Sequence, residues 1–131
     1  MATSKVIEFS DEEYNVLIRV RRATVLDGIR RSLLILQARE RFPRPNTSDI
    51  KIMSEHILAA VTYPSCVAGT ESIENLNPDS PKKLSPDLSL EEFASLPEPL
   101  ASSWEITVYD LNPQWTPGGA PSEAGEVGES S

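Results

Sequence analysis

The sequence predicts an α+β domain: a short N-terminal β-hairpin, a mainly α-helical body, and a disordered acidic C-terminal tail. Three observations carry this. Tyr14, Val16, Ile18 and Val20 alternate with Asn15, Leu17, Arg19 and Arg21, the period of a half-buried strand. From about residue 25 the apolar spacing changes to three and four, the period of amphipathic helices. Residues 116–131 are mostly Gly, Pro, Ser, Ala and Glu with a lone Val127, too little apolar surface to offset the entropy of ordering. The expected organisation is one domain over 1–115 and a tail over 116–131.

Taken in order, Lys5 to Phe9 is a short apolar-rich run and Ser10-Asp11-Glu12-Glu13 a polar connector to the second strand. A competing reading exists, because Ser10-x-x-Glu13 also fits a capping box opening a helix over 11–22. The β-rich alternation favours the hairpin. Thr24 with Asp27 then marks the start of a helix over 25–41, with Leu26, Ile29, Leu33 and Leu36 as its apolar stripe. Gly28 within it costs roughly 1 kcal/mol against Ala. Pro43 and Pro45 end the segment. Thr47 or Ser48 caps a further helix over 49–62, whose stripe is Ile50, Met53, Ile57, Ala60 and Val61. Pro64 interrupts it and suits the first turn of a short continuation. About 77–88 lies a proline-rich flexible loop. Ser89-Leu90-Glu91-Glu92 is a capping box for a short helix bearing Phe93 and Leu96. The last helix spans 97–111, with Leu100, Trp104, Val108 and Leu111 inward, until Asn112-Pro113 stops it.

Composition narrows the classes of function. The 131 residues are 39% hydrophobic and 24% charged, with net charge −8, enough apolar content for one core and the wrong sign for coating nucleic acid. Residues 1–51 hold ten Lys/Arg and seven Asp/Glu, for +3, while 52–131 hold two and thirteen, for −11. One Cys and one His make neither an internal disulfide nor a zinc site of usual spacing. No apolar leader follows Met1 and no long apolar run occurs, so neither secretion nor a membrane span is expected.

Candidate catalytic groups form no constellation. His56 lacks a second ligand, Cys66 lacks an activating partner, and Glu12-Glu13 and Glu91-Glu92 occupy solvated first-turn or turn positions. No enzyme, metal or cofactor is expected. Two surface features remain. Arg19, Arg21, Arg22, Arg30 and Arg31, with Arg41 beyond, form a candidate basic patch. No aromatic residue interleaves with them, so an acidic partner or a solvated face outweighs nucleic acid; a small nucleic-acid-binding regulator is the second reading. Leu34 and Ile35 lie off their helix's stripe, as do Ile52 on the next and Ile106 with Tyr109 on the last. With Trp115 they nominate a surface for self-association or a hydrophobic partner.

The C-terminal third carries a family resemblance. Leu90-Glu91-Glu92-Phe93, Leu96-Pro97-Glu98, Trp104 and Val108-Tyr109-x-Leu111-Asn112-Pro113-x-Trp115 resemble the ending of tail assembly chaperones of long-tailed bacteriophages. Weaker likeness extends to the β-rich start, to Val20–Arg31 and to Ala60-x-x-Tyr63-Pro64. The resemblance implies a non-catalytic, cofactor-free protein of the host cytoplasm. Such a protein binds the aggregation-prone tape-measure protein, keeps it soluble, helps recruit tail-tube subunits and is absent from the finished virion. It also implies that a longer, frameshifted form is common. No membrane partner follows from it.

Overall fold

β2 (Asn15–Arg21) is the strand around which everything else is placed, because its inward side chains Val16, Ile18 and Val20 are completely buried. The computed structural model describes residues 3–42 and 48–117. β1 (Ser4–Ser10) pairs antiparallel with β2, setting Ile7 opposite Ile18 and Phe9 opposite Val16. The connector folds as a turn, not a helix. The Asp11 carboxylate accepts from the Glu13 and Tyr14 N–H groups at 2.8 and 2.7 Å, which closes the hairpin.

α1 (Val25–Arg41) begins where expected, and there Thr24 and Asp27 form a capping box, exchanging side-chain to backbone hydrogen bonds. Its roll is the reverse of the expected one. Asp27, Arg31, Leu34 and Ala38 face the body, whereas Leu26, Ile29, Leu33 and Leu36 are 75, 52, 55 and 56% exposed. Polar anchors fix that roll. Arg21 grips Asp27 with Nε and a terminal nitrogen at 3.2 and 2.9 Å. One turn on, Arg31 donates to the Ser65 hydroxyl at 2.9 Å and lies 5.0 Å over the Trp115 ring.

α2 (Ile50–Ile57) is capped by Asp49, whose carboxylate accepts from the Lys51 and Ile52 N–H groups. It is not capped by Ser48; Thr47, with Pro43 and Pro45, lies outside the described residues. The helix does not break at Pro64. It widens into a π segment, Leu58–Thr62, with the Tyr63 N–H bonded to the Leu58 carbonyl, and continues as α3 (Tyr63–Ala68). The wider turn accommodates a residue that has no N–H and whose ring would crowd a regular α-helix. Of the stripe expected here only Ala60 is buried; Ile50 and Ile57 are 81 and 46% exposed.

A third strand, which the sequence did not suggest, follows at once. β3 (Thr70–Asn75) pairs antiparallel with the other edge of β2, with a register irregularity at Arg19/Val20, giving the sheet order β1-β2-β3. The proline-rich stretch after it is irregular as expected but belongs to the body. Leu84 and Leu88 are buried, and the Asn75 side chain holds both the N–H and the carbonyl of Leu84.

α4 (Leu90–Ala94) starts on the Ser89/Glu92 capping box. α5 (Glu98–Leu111) lies across the sheet with Leu100, Trp104, Val108 and Leu111 inward. A short 3-10 turn, Pro113–Trp115, follows. The Trp104 indole N–H donates to the Thr70 hydroxyl, which donates to the Cys66 carbonyl, so the largest core side chain leaves no polar atom unpaired. The architecture is therefore α+β, with a three-stranded sheet in place of a bare hairpin. Of the expected acidic tail, residues 118–131 lie outside the described residues.

Candidate protein-docking surface

The aromatic and large apolar residues of the Leu90-to-Trp115 motif, with Asn112, build the body, whereas Glu91, Glu92, Glu98 and Pro113 are exposed on it. Phe93 packs between Tyr63 and Trp104, with ring centroids 5.7 and 5.6 Å apart. Asn112 is 1% exposed: its carbonyl accepts from the Ala23 N–H at 2.8 Å and its amide donates to the Arg21 and Val108 carbonyls. One buried amide thus ties the end of α5 to the link between β2 and α1. Trp115 is buried beneath Arg31.

Once the body is assembled this way, a large apolar surface is left over. Among the described residues, eleven large aliphatic side chains are exposed, and eight of them lie on α1 and α2: Val25, Leu26, Ile29, Leu33, Leu36, Ile50, Ile52 and Ile57. No residue of α2 is buried. Scattered exposed leucines are ordinary, but a continuous row along one helix marks an interaction site. Covering one such half-exposed Leu or Ile contributes roughly 1 kcal/mol. Beside α1 a cleft of about 230 Å³ runs against α4, lined by Leu34, Ala38, Phe42, Ala59 and Leu90 among others.

This places the nominated partner-binding residues differently from the sequence expectation. Ile106 is 60% exposed. Leu34 and Tyr109 are half-buried against the core, Ile35 is half-buried, and Trp115 is buried. Burial pushes the Tyr109 phenol above its ordinary pKa, with Glu105 adding to the effect. The row that does face solvent is the one the periodicity assigned to the core. The opposite arc, with Asp27, Arg31, Leu34 and Ala38, turns towards the body instead, and the apolar spacing by itself gave no sign of it.

The arginines do not gather into one patch. Arg21 is bound to Asp27, and Arg31 faces inward, its pKa lowered by burial. Arg30 lies 4.0 Å from Asp87, and Arg41 2.7 Å from Glu91. Arg19 is on the outer face of the sheet and Arg22 is exposed beyond its end. Cys66 is fully buried, and burial raises its thiol well above the usual range, leaving little thiolate for chemistry. The His56 ring nitrogen Nδ1 is 3.0 Å from the Phe42 carbonyl oxygen. Among the described residues no cluster of His, Cys, Asp and Glu could hold a metal ion, and no helix is long and apolar enough to cross a membrane.

Fold and surface together define a small α+β domain that presents an unpartnered aliphatic helix face. No protein-family model, curated protein or solved structure matches the chain.

Proposed function

We propose that this chain is a tail assembly chaperone of a long-tailed bacteriophage. It binds the tape-measure protein in the host cytoplasm, keeps it soluble and helps recruit tail-tube subunits, without catalysis or cofactor. The observation that carries the reading is the row of exposed aliphatic side chains on α1; α2 exposes Ile50, Ile52 and Ile57 besides. A holdase needs apolar surface to cover its client and net charge to keep the complex dispersed; the chain's −8 provides the second. The motif that resembles this family supports the reading from another side. Phe93, Trp104, Asn112 and Trp115 are spent on holding the domain together, as a family's fold signature would be.

The test is co-expression with a long, coiled-coil tape-measure protein from the same phage genome. The client should remain soluble and co-purify with this chain. A Leu26→Ser/Leu33→Ser variant should lose both effects while keeping its far-ultraviolet spectrum. A client that stays insoluble with the unaltered chain, and never co-purifies, overturns the proposal.

A further inference from the structure

The outer side of α1 carries information about the shape and charge of what binds it. Leu26, Ile29, Leu33 and Leu36 follow one another at intervals of three, four and three, the spacing of a knobs-into-holes seam. At 1.5 Å per residue the row is about 15 Å long, two to three helical turns. All four are at least half exposed. Arg30 borders the row on one side and Arg39 on the other, both exposed. The carboxylate nearest Arg30 is Asp87 at 4.0 Å, itself 90% exposed, a contact that solvent screens heavily. Glu40, the outward carboxylate of α1, stands in line with the row at its C-terminal end, not beside it.

We infer that this face receives an amphipathic helix of another protein whose aliphatic seam is flanked by Asp or Glu. The inference rests on the docking role given to α1 above but not on the identity of the client. A second copy of this chain fits less well. Its remaining flanking positions are Val25, Ser32 and Gln37, none of them a carboxylate, and an antiparallel pair would bring Arg30 towards its own symmetry mate. Like charges so placed oppose association, whereas an acidic-flanked helix meets both arginines with the opposite sign.

The experiment uses the full chain and three synthetic helical peptides of about three heptads, sharing a Leu seam but flanked by Glu, Gln or Lys. Binding is read by fluorescence anisotropy of the labelled peptides. The Glu-flanked peptide should bind at least about tenfold tighter than the Lys-flanked one. That preference should shrink as salt approaches roughly 1 M, where the screening length falls to about 3 Å. Leu33→Asp should abolish binding of all three, and Arg30→Glu with Arg39→Glu should reverse their order. Circular dichroism and urea unfolding verify that each variant is folded. Equal affinities, or no binding by the unaltered chain, overturn the inference. A chain that sediments as a dimer and becomes monomeric on Leu33→Asp gives the face to a second copy and overturns it too. So does Leu33-dependent binding to anionic phosphatidylglycerol vesicles with no peptide bound. Peptide binding as expected beside a failed tape-measure co-expression would sink the phage reading and leave this inference standing.

Discussion

At Asp27 one carboxylate serves two structures. It accepts from the Thr24 N–H to complete the helix cap, and from the Arg21 guanidinium to tie α1 to the end of β2. Burial by itself would raise its pKa. The hydrogen bonds from Arg21 and Thr24 outweigh that, and the net position is below the ordinary carboxylate value. A carboxylate depressed in the folded state adds stability above its unfolded pKa, about 4, and loses it as pH falls through the lower folded value. Replacing it by the uncharged isostere should therefore cost most at neutral pH. We expect Asp27→Asn to lower the unfolding free energy by about 1 kcal/mol near neutrality, and the gap from the unaltered chain to close as pH drops below about 4. Urea melts at several pH values measure it. A gap that stays constant from neutral to acid pH would mean the charge of Asp27 contributes nothing. A helix start was legible in the sequence, because Thr24 and Asp27 are three residues apart. The link to Arg21 was not, since nothing in the spacing shows that β2 ends beside the first turn of α1.

Among the elements, the two glycines of the helical body separate what local propensity sets from what packing sets. Gly28 lies within α1, and a Cβ built on it meets nothing within 4 Å. Gly28→Ala should raise stability by about 1 kcal/mol, the helix propensity difference. Gly69 caps α3, and a Cβ there would come 3.0 Å from a Val108 methyl and 3.1 Å from the Ser65 carbonyl oxygen. The backbone oxygen cannot swing aside as a side chain can, so Gly69→Ala should cost about 1–3 kcal/mol. Thermal and urea unfolding of both variants give the comparison; equal effects in the same direction would refute it. The same division explains what could be read beforehand. β1 and β2 were legible from apolar content and alternation, α1 and α4 from the spacing of Thr24 with Asp27 and of Ser89 with Glu92 at their starts, and α5 from its inward stripe. β3 was not, since Ile73 is the one large apolar residue in Thr70–Asn75 and the strand exists because β2 offers it an edge. The docking face was legible as a stripe and misread as core. Periodicity shows that a helix has two sides, and only tertiary anchors such as Arg31 with Ser65 and Trp115 decide which one turns inward.

Considered whole, the chain divides into a sealed core and a loosely held periphery. Apart from Ser65 and Cys66 of α3, the completely buried side chains, Val16, Ile18, Val20, Leu100, Trp104 and Val108, come from β2 and α5, which lie far apart in sequence and cannot open without exposing the centre of the molecule. α2, by contrast, has no buried residue and joins the body through the π segment. Local opening free energies follow buried contact and not helix content. Amide hydrogen exchange should therefore be slowest in β2 and α5, where it reports global unfolding, and fastest among the helices in α2. α1 should fall between, anchored at Asp27, Arg31 and Leu34 but bare along its outer row. A bound partner would change that order selectively, slowing α1 while leaving β2 and α5 at the global limit. Exchange mass spectrometry of the free chain, then of the chain with the Glu-flanked peptide, distinguishes the cases. Protection of α1 that is already at the level of β2 in the free chain, and that falls on dilution, would show the aliphatic row to be covered by the protein itself. Protection that rises only with the partner, and is lost in Leu33→Asp, would show that the apolar row stays uncovered until a client reaches it.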